Sequence, residues 1–358
     1  MKHLLGSLSI LGLLAGSVSF PALAQAKVNV VASIKPIHSL VASVMEGVGT
    51  PDLVVEGAGS PHTYSLRPST ARKIANADVV FWVGPQLESF LETPLENLAD
   101  GATIVTLKDA HGLTLLNFRE GGNFEGHDHG DHAGETAEEH AAHVGETAEV
   151  HAEHADERHE EHADHDNEKH EEHADHEKHD EHDDEAVDMH IWLDPQNAIA
   201  MLHEIEEALS KADPANAAKY AANAKAEAEE ITKVSETLKA DLKSNRTKPF
   251  VVFHDAYRYF EEAYNLNAVG SVTVSPEVLP GAKRLSEVRQ KLEGLGVSCV
   301  FSEVQFNPRM VAVLKEGTGV NSAELDPLGS TLDSGPQLYT ELLKQMGGAF
   351  NTCLSGNS

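Results

Sequence analysis

The stretch PANAAKYAANAKAEAEEITKVSETLKADLKS, residues 214–244, contains no glycine and no proline after its first residue. Apolar residues recur in it at helical spacing, namely Tyr220, Ala224, Ile231, Leu238 and Leu242. Asp213 suits the N-cap position and Pro214 suits the first turn. A helix over this stretch would be about 45 Å long at 1.5 Å per residue. The stretch therefore predicts one long helix that runs along two neighbouring domains.

Strand-like segments alternate with helix-like segments on both sides of this helix. The strand-like segments before it are VNVVASI (28–34), DLVVEG (52–57), DVVFWVG (78–84) and ATIVTL (102–107). Those after it are FVVFH (250–254), NAVGSVTV (267–274), VSCVFSE (297–303) and SAELD (322–326). Such alternation is typical of parallel sheets that are covered by helices.

The predicted fold is therefore α/β, with two Rossmann-like lobes of parallel sheet joined by one long, rigid helix. We expect the N-terminal lobe over residues 27–211, the linking helix over 212–245 and the C-terminal lobe over 246–358. A rigid helix of this length would limit hinge motion between the lobes.

The first 24 residues have the features of a signal peptide. Lys2 and His3 precede an apolar run that ends at Pro21, and the small residues Ala22 and Ala24 offer a cleavage site. No later run reaches 18 apolar residues, and no cysteine lies near the cleavage point. We therefore expect a soluble, unanchored protein in the periplasm, with no membrane insertion of the mature chain.

Most of the net charge of −31 comes from one segment. Residues 125–185 hold 25 acidic and three basic side chains, so this segment carries −22 and the remainder carries −9. No basic patch is present that could contact phosphates, so we expect no nucleic-acid partner.

The acidic segment contains an eleven-residue repeat that begins with GETAEEHAAHV at 134–144. Each unit carries two histidines three positions apart, and these are His140 and His143, His151 and His154, His162 and His165, and His173 and His176. No apolar residue recurs that could pack such a helix on a core, so we expect a disordered acidic His-rich loop over residues 117–187. Imidazoles suit Zn²⁺ and similar ions. Acidity alone would fit a solvated spacer, whereas fifteen histidines favour accessory, low-affinity metal binding.

The chain contains two cysteines, Cys299 and Cys353. Export to an oxidising compartment favours one structural disulfide between them over a metal or redox site. Such a bond would also hold the C-terminal segment in place.

Four potential metal ligands lie in short distinctive stretches of the predicted lobes. They are His62 in GSPHTYSLRPS (59–69), His190 in DMHIWLDP (188–195), His254 in FVVFHDAYRYF (250–260) and Asp326 in ELDPLG (324–329). Spacing alone makes none of them specific. His38, His111 and His203 lack a suggestive neighbourhood and are interpreted as structural.

These stretches resemble the zinc-specific solute-binding proteins of ABC metal importers, of the ZnuA type in the cluster 9 (A-I) group. The motifs that carry the resemblance are SPHTYSLRPS (60–69), NADVVFWVGP (76–85), DMHIWL (188–193), VFHDAY (252–257), VFSEVQF (300–306) and LDPLG (325–329). The resemblance extends over nearly all of the mature chain. An acidic His-rich loop between the fourth strand and His190 is itself typical of the zinc branch.

The resemblance implies a single metal site in the cleft between the lobes. His62 and His190 would come from the N-terminal lobe, and His254 and Asp326 from the C-terminal lobe. Three imidazoles and one oxygen suit tetrahedral Zn²⁺, whereas manganese-binding relatives are expected to offer more carboxylate. Some relatives carry a Glu directly before the first histidine, where this chain has Pro61. The fourth ligand is then Asp326 or a water, and both alternatives stay open.

The function that the resemblance implies is capture of Zn²⁺ in the periplasm and its delivery to the membrane permease of an ABC importer. We expect a monomer that binds metal and is not an enzyme. Manganese import and a periplasmic zinc buffer or chaperone are the alternatives. A zinc hydrolase is less favoured, because no H-E-x-x-H motif supplies a general base.

Overall fold

The computed structural model describes residues 27–119, 187–273, 280–306 and 309–356. The predicted signal peptide and most of the predicted His-rich loop lie outside these residues. The predicted architecture is confirmed, because the described residues form two four-stranded parallel sheets with helices between the strands. No helix among them is both long and apolar enough to cross a membrane.

The first lobe is built on a sheet with the strand order β2-β1-β3-β4. Its strands are β1 (Val30–Ala32), β2 (Asp52–Leu53), β3 (Val79–Trp82) and β4 (Thr103–Thr106). Its helices are α1 (Lys35–Val44), α2 (Pro68–Ala75), α3 (Ser89–Leu98) and α4 (Pro195–Ala212). All strand pairs are parallel, and the strands β1 and β3 are fully buried, which explains their continuous apolar sequence.

The second lobe repeats this design with the strand order β6-β5-β7-β8. Its strands are β5 (Pro249–His254), β6 (Asn267–Thr273), β7 (Cys299–Glu303) and β8 (Asn321–Leu325). Its helices are α6 (Arg258–Tyr264), α7 (Ala282–Gly294), α8 (Arg309–Lys315) and α9 (Leu338–Leu354). In both lobes the strands are close to the predicted segments and mostly shorter.

The long helix α5 extends over Ala217–Asp241, with 3-10 turns at Pro214–Asn216 and Lys243–Asn245. The α-helix is therefore shorter than predicted, about 37 Å at 1.5 Å per residue. The Asp213 carboxylate accepts hydrogen bonds from the Asn216 amide and the Tyr220 hydroxyl. The apolar face is buried as predicted, and α5 packs against α1 and α4 of the first lobe and α9 of the second.

The hydrophobic core is continuous between the lobes. One cluster of buried side chains extends from β1 and α1 of the first lobe, along α5, to Phe350 in α9. A smaller cluster around Val272 fills the other face of the second sheet. The predicted disulfide is present between Cys299 in β7 and Cys353 in α9, with Cα atoms 5.9 Å apart. Both cysteines are fully buried, so the bond attaches the C-terminal helix to the sheet from inside the core.

Candidate metal centre

The carboxyl edges of the two sheets face each other and bring three histidines together. His62 lies in the loop between β2 and α2, and His190 directly precedes a 3-10 turn, Ile191–Leu193, that leads into α4. His254 is the last residue of β5. Ligand groups collect at this edge of α/β sheets because the loops that follow the strands converge there.

The three imidazoles lie close enough to share one ion. The ring centroids of His190 are 5.4 Å from His62 and 5.3 Å from His254, and those of His62 and His254 are 6.2 Å apart. One nitrogen from each ring lies within 4.8 Å of the other two. The Nε2 atoms of His190 and His254 are 3.4 Å apart. Two ligands on a tetrahedral ion with bonds of about 2.0 Å are separated by about this distance.

Two carboxylates orient the buried rings. The Nδ1 atom of His190 lies 2.7 Å from Oδ1 of Asp188, and Nδ1 of His254 lies 2.6 Å from Oε1 of Glu303. A carboxylate can only accept a hydrogen bond, so each Nδ1 carries the proton and each Nε2 offers its lone pair to the cleft. Such pairs fix the tautomer and raise the basicity of a metal ligand.

Sequence reasoning missed the roles of Asp188 and Glu303, although both lie in the motifs that carry the resemblance. Asp188 could have been found from its place two residues before His190, where its carboxylate also accepts the His190 backbone N–H at 3.0 Å. Glu303 ends β7, the direct neighbour of β5 in the sheet. A predicted strand order was needed to place it beside His254.

Local electrostatics differ among the imidazoles. Burial, with the neighbouring rings of His190 and His254, holds the pKa of His62 well below its ordinary value. Burial also acts to lower the pKa of His254, but the carboxylates of Glu303, Asp255 and Asp188 together outweigh it and raise this pKa. A neutral His62 can coordinate a metal directly, whereas a metal that binds His254 must compete with the proton that the nearby carboxylates favour.

The space between the rings is small and mostly apolar at its walls. A cavity of about 20 Å³ lies between the histidines, close to the room that one water-sized ligand needs. The apolar residues Pro61, Trp192, Phe306, Pro327 and Leu328 line it together with the three histidines. An apolar wall limits access of solvent and so strengthens electrostatic interactions inside.

The carboxylate of Asp326 does not belong to the group of potential ligand atoms that the three imidazole nitrogens form. Its Oδ2 atom accepts hydrogen bonds from Ser330 Oγ at 2.9 Å and from the N–H and hydroxyl of Thr331 at 3.0 and 3.1 Å. Its Oδ1 atom accepts from Gln305 Nε2 at 3.3 Å. The carboxylate, which is buried, therefore organises the loop that follows β8.

The remaining histidines named above divide into two groups. His38 is buried, with Nε2 at 3.1 Å from the Pro51 carbonyl, and the side chain of His111 is exposed beside Glu204. Neither they nor His203 join the cluster. The eight repeat histidines lie outside the described residues, and they are His140, His143, His151, His154, His162, His165, His173 and His176.

Comparison with known proteins gives a consistent result. Residues 30–353 match the family described as zinc-uptake complex component A, periplasmic. A high-affinity zinc uptake system protein ZnuA from Brucella suis is 46% identical over 333 residues, 93% of each chain. A crystal structure of ZnuA matches 91% of this chain and 100% of its own length, with a TM-score of 0.64 at 19% identity.

The fold is also found in a protein whose structure contains another metal. The solute-binding protein FpvC from Pseudomonas aeruginosa, in complex with Mn²⁺, matches 93% of this chain and 100% of its own with a TM-score of 0.68 at 18% identity. At such identities the likeness shows the fold alone.

The matched family consists of solute-binding components of importers and not of enzymes. From the family match over residues 30–353 and the 46% identity to a curated member, this chain belongs to the ZnuA family of periplasmic zinc-uptake components.

Proposed function

We propose that this protein captures Zn²⁺ in the periplasm and delivers it to the membrane permease of an ABC importer. The observation that carries the proposal is the convergence of His62, His190 and His254 on one point between the lobes. Their two buried members have their Nδ1 protons directed to carboxylates, which leaves Nε2 free to bind a metal. One chain supplies all three imidazoles, which supports a monomer as the working form.

Zinc is the proposed cargo because the donor set consists of nitrogen. Zn²⁺ takes three imidazoles and one further ligand in tetrahedral geometry, whereas Mn²⁺ prefers carboxylate and water oxygens. The carboxylates closest to the rings, Asp188 and Glu303, already accept hydrogen bonds from imidazole Nδ1 atoms. This arrangement supports zinc over manganese.

We propose water as the fourth ligand. Pro61 has no donor atom in its side chain, and the Asp326 carboxylate already accepts hydrogen bonds from Gln305, Ser330 and Thr331. A zinc-bound water resembles the site of a hydrolase, but a hydrolase also needs a free general base. The engagement of Asp188 and Glu303 with the histidines argues against that role for either carboxylate.

The repeats of the His-rich loop are proposed as an accessory site that binds further Zn²⁺ more weakly. Their paired histidines are many and redundant, so each ion that binds must order its own ligands at a conformational cost. The cleft histidines lie on a folded framework, so the conformational cost of ordering them is met when the protein folds.

A cleaved signal peptide over residues 1–24 would export the chain.

Zinc titration of the metal-free protein tests the proposal. The wild-type protein should bind one equivalent tightly, and His62→Ala, His190→Ala and His254→Ala should each weaken that site by orders of magnitude. His111→Ala is the matched control, since this imidazole is exposed and outside the cluster. Unchanged tight binding in a cleft variant would remove that residue from the site.

A second experiment separates import from zinc buffering. Cells that depend on this protein for growth at low zinc should grow with the wild-type chain and fail with the cleft variants. A periplasmic buffer without a permease would bind zinc equally well but would not restore growth.

A further inference from the structure

The chain reaches His190 through a short paired segment that we call the stem, residues 114–119 and 187–189. Asn117 and Val187 form an antiparallel bridge, and the Asp188 N–H donates to the Leu116 carbonyl at 2.8 Å. Thr114 attaches the stem to the first lobe through two hydrogen bonds with the Asn197 side chain in α4, at 2.8 and 2.9 Å. The position of His190 therefore depends on the position of the stem.

Helix α6 of the second lobe binds this stem. The Tyr259 hydroxyl accepts a hydrogen bond from the Leu116 N–H at 3.0 Å and donates one to the Asp188 carbonyl at 2.7 Å. The Arg258 guanidinium donates to the Asn117 carbonyl. These bonds join backbone that precedes His190 to a helix that begins four residues after His254.

Arg119, at the end of the stem, makes the strongest of these connections. Its Nε and Nη2 atoms donate to the two carboxylate oxygens of Asp255, with the Nε bond at 3.0 Å. Its Nη1 and Nη2 atoms donate to the two oxygens of Glu261 at 2.6 and 3.1 Å. Asp255 follows His254 directly in the sequence, so the guanidinium acts one residue from a proposed ligand.

Burial makes this network sensitive to the loss of the guanidinium. The side chains of Asp255 and Glu261 are 8% and 5% exposed, and that of Arg119 is 20% exposed. Without Arg119 two neighbouring carboxylates would lose a buried counter-charge, which is far less favourable than losing an exposed one. Lysine would restore the charge but not the planar fork that binds both carboxylates.

We propose that Arg119 is a positioning residue of the zinc site, which holds the stem before His190 against Asp255 after His254 and thereby slows the release of zinc. The inference rests on the proposed function, because it assumes that these two imidazoles bind the same ion. An ion held by ligands from both lobes leaves when those ligands separate. Removal of the Arg119 guanidinium, with its bonds to Asp255 and Glu261, lowers the free energy needed to separate the ligands. The open arrangement is then populated more often.

The test measures zinc dissociation from the loaded full-length protein into an excess of chelator. Arg119→Gln should release zinc about tenfold faster or more, as expected when a buried charge pair is broken. Arg119→Lys should change the rate in the same direction by a smaller factor. Arg289→Gln is the matched control, because that guanidinium donates to the Glu316 carbonyl at an exposed position of the second lobe.

The direction of the effect separates positioning from simple charge repulsion. If the Arg119 charge merely repelled the bound cation, Arg119→Gln would release zinc more slowly and Arg119→Lys would match the wild type. Either result would overturn the inference. The visible spectrum of the Co²⁺-loaded protein gives a second readout, since a shifted ligand changes it and a loss of global stability alone does not.

Each remaining outcome also decides the question. Wild-type dissociation rates and Co²⁺ spectra in Arg119→Gln would overturn the inference while leaving the proposed function intact. Wild-type protein that holds no tight zinc would overturn both. If Arg119→Gln fails to fold, the dissociation rate of Arg119→Lys is measured instead, and a wild-type rate in that variant would overturn the positioning role of Arg119.

Discussion

The Nδ1 atom of His254, at the end of β5, lies 2.6 Å from Oε1 of Glu303, at the end of the neighbouring strand β7. Both residues are buried, at 5% and 1% exposure. The pair links the sheet of the second lobe to the cleft, because the carboxylate sets which nitrogen of the imidazole carries the proton. Asp188 has the same relationship to His190 in the first lobe.

We predict that Glu303→Gln and Asp188→Asn each weaken zinc binding by roughly 10- to 100-fold, the usual cost of losing an outer-shell partner. Each change keeps the shape of the side chain but removes the charge that makes the imidazole more basic. Competition with a zinc chelator measures the affinity. Asp78→Asn serves as the control, because this carboxylate accepts from the Asn29 N–H away from the cleft. Equal affinities in all three variants would contradict the proposed role.

Asp326→Asn should change zinc affinity by less than about tenfold, below the usual range for an outer-shell partner. The amide oxygen can still accept hydrogen bonds in the loop that follows β8, and water occupies the fourth position in our proposal. Asp326→Ala should cost more than Asp326→Asn, since Ser330 and Thr331 lose their acceptor. A loss in Asp326→Asn as severe as that of a histidine variant would identify Asp326 as an obligate ligand.

Reduction of the Cys299–Cys353 disulfide should lower the free energy of unfolding without abolishing zinc capture. The bond joins residues 54 positions apart, and chain entropy alone assigns it about 4 kcal/mol. Neither sulfur belongs to the histidine cluster. Denaturant unfolding with and without a phosphine reductant measures the change, and Cys299→Ala/Cys353→Ala should not respond to the reductant. Free thiols in protein isolated from its compartment would refute the pairing.

Deletion of residues 126–184 should lower the total zinc bound but leave one tight equivalent and the fold intact. The stem residues Asn117 and Val187, which lie outside the deletion on its two sides, are paired in the structure, so the shortened connection still joins two neighbouring positions. Metal analysis and zinc titration of the intact and deleted chains measure both quantities. Loss of tight binding on deletion would place the high-affinity site in the repeats.

Glu88 makes stability depend on pH in a defined direction. Its side chain is fully buried, and burial raises its pKa to about 7, although the Val83 and Gly84 N–H groups donate to its Oε2 atom. The folded state therefore holds this proton more tightly than the unfolded state, whose pKa is near 4.5. The contribution of Glu88 is largest below pH 4.5, decreases as pH rises to about 7 and is constant above.

Glu88→Gln should remove this dependence. Unfolding by urea at several pH values should show the variant gaining stability relative to the wild type between pH 5 and pH 8, by up to about 3 kcal/mol. Other carboxylates titrate in both proteins and cancel in the difference. Parallel pH profiles for the two proteins would show that Glu88 is ionised at little cost.

Local pattern determined the elements of this protein. Apolar runs predicted the eight strands, helical spacing and the lack of internal glycine predicted α5, and the export features together with two cysteines predicted the disulfide. The three histidines were candidates because each lies in a distinctive stretch near a predicted strand end, and the family resemblance assigned them to one site. These features depend on a few neighbouring residues, so they can be read along the chain.

Only the tertiary structure decided which side chains meet. Glu303 reaches His254 because β7 lies beside β5 in the sheet order, and Arg119 reaches Asp255 and Glu261 because the stem crosses to the second lobe. The hydrogen bonds that the Asp326 carboxylate accepts from Ser330 and Thr331 were likewise not predicted from the sequence. Such contacts join residues far apart in the chain, and they depend on strand order and rotamers, which local propensity does not encode.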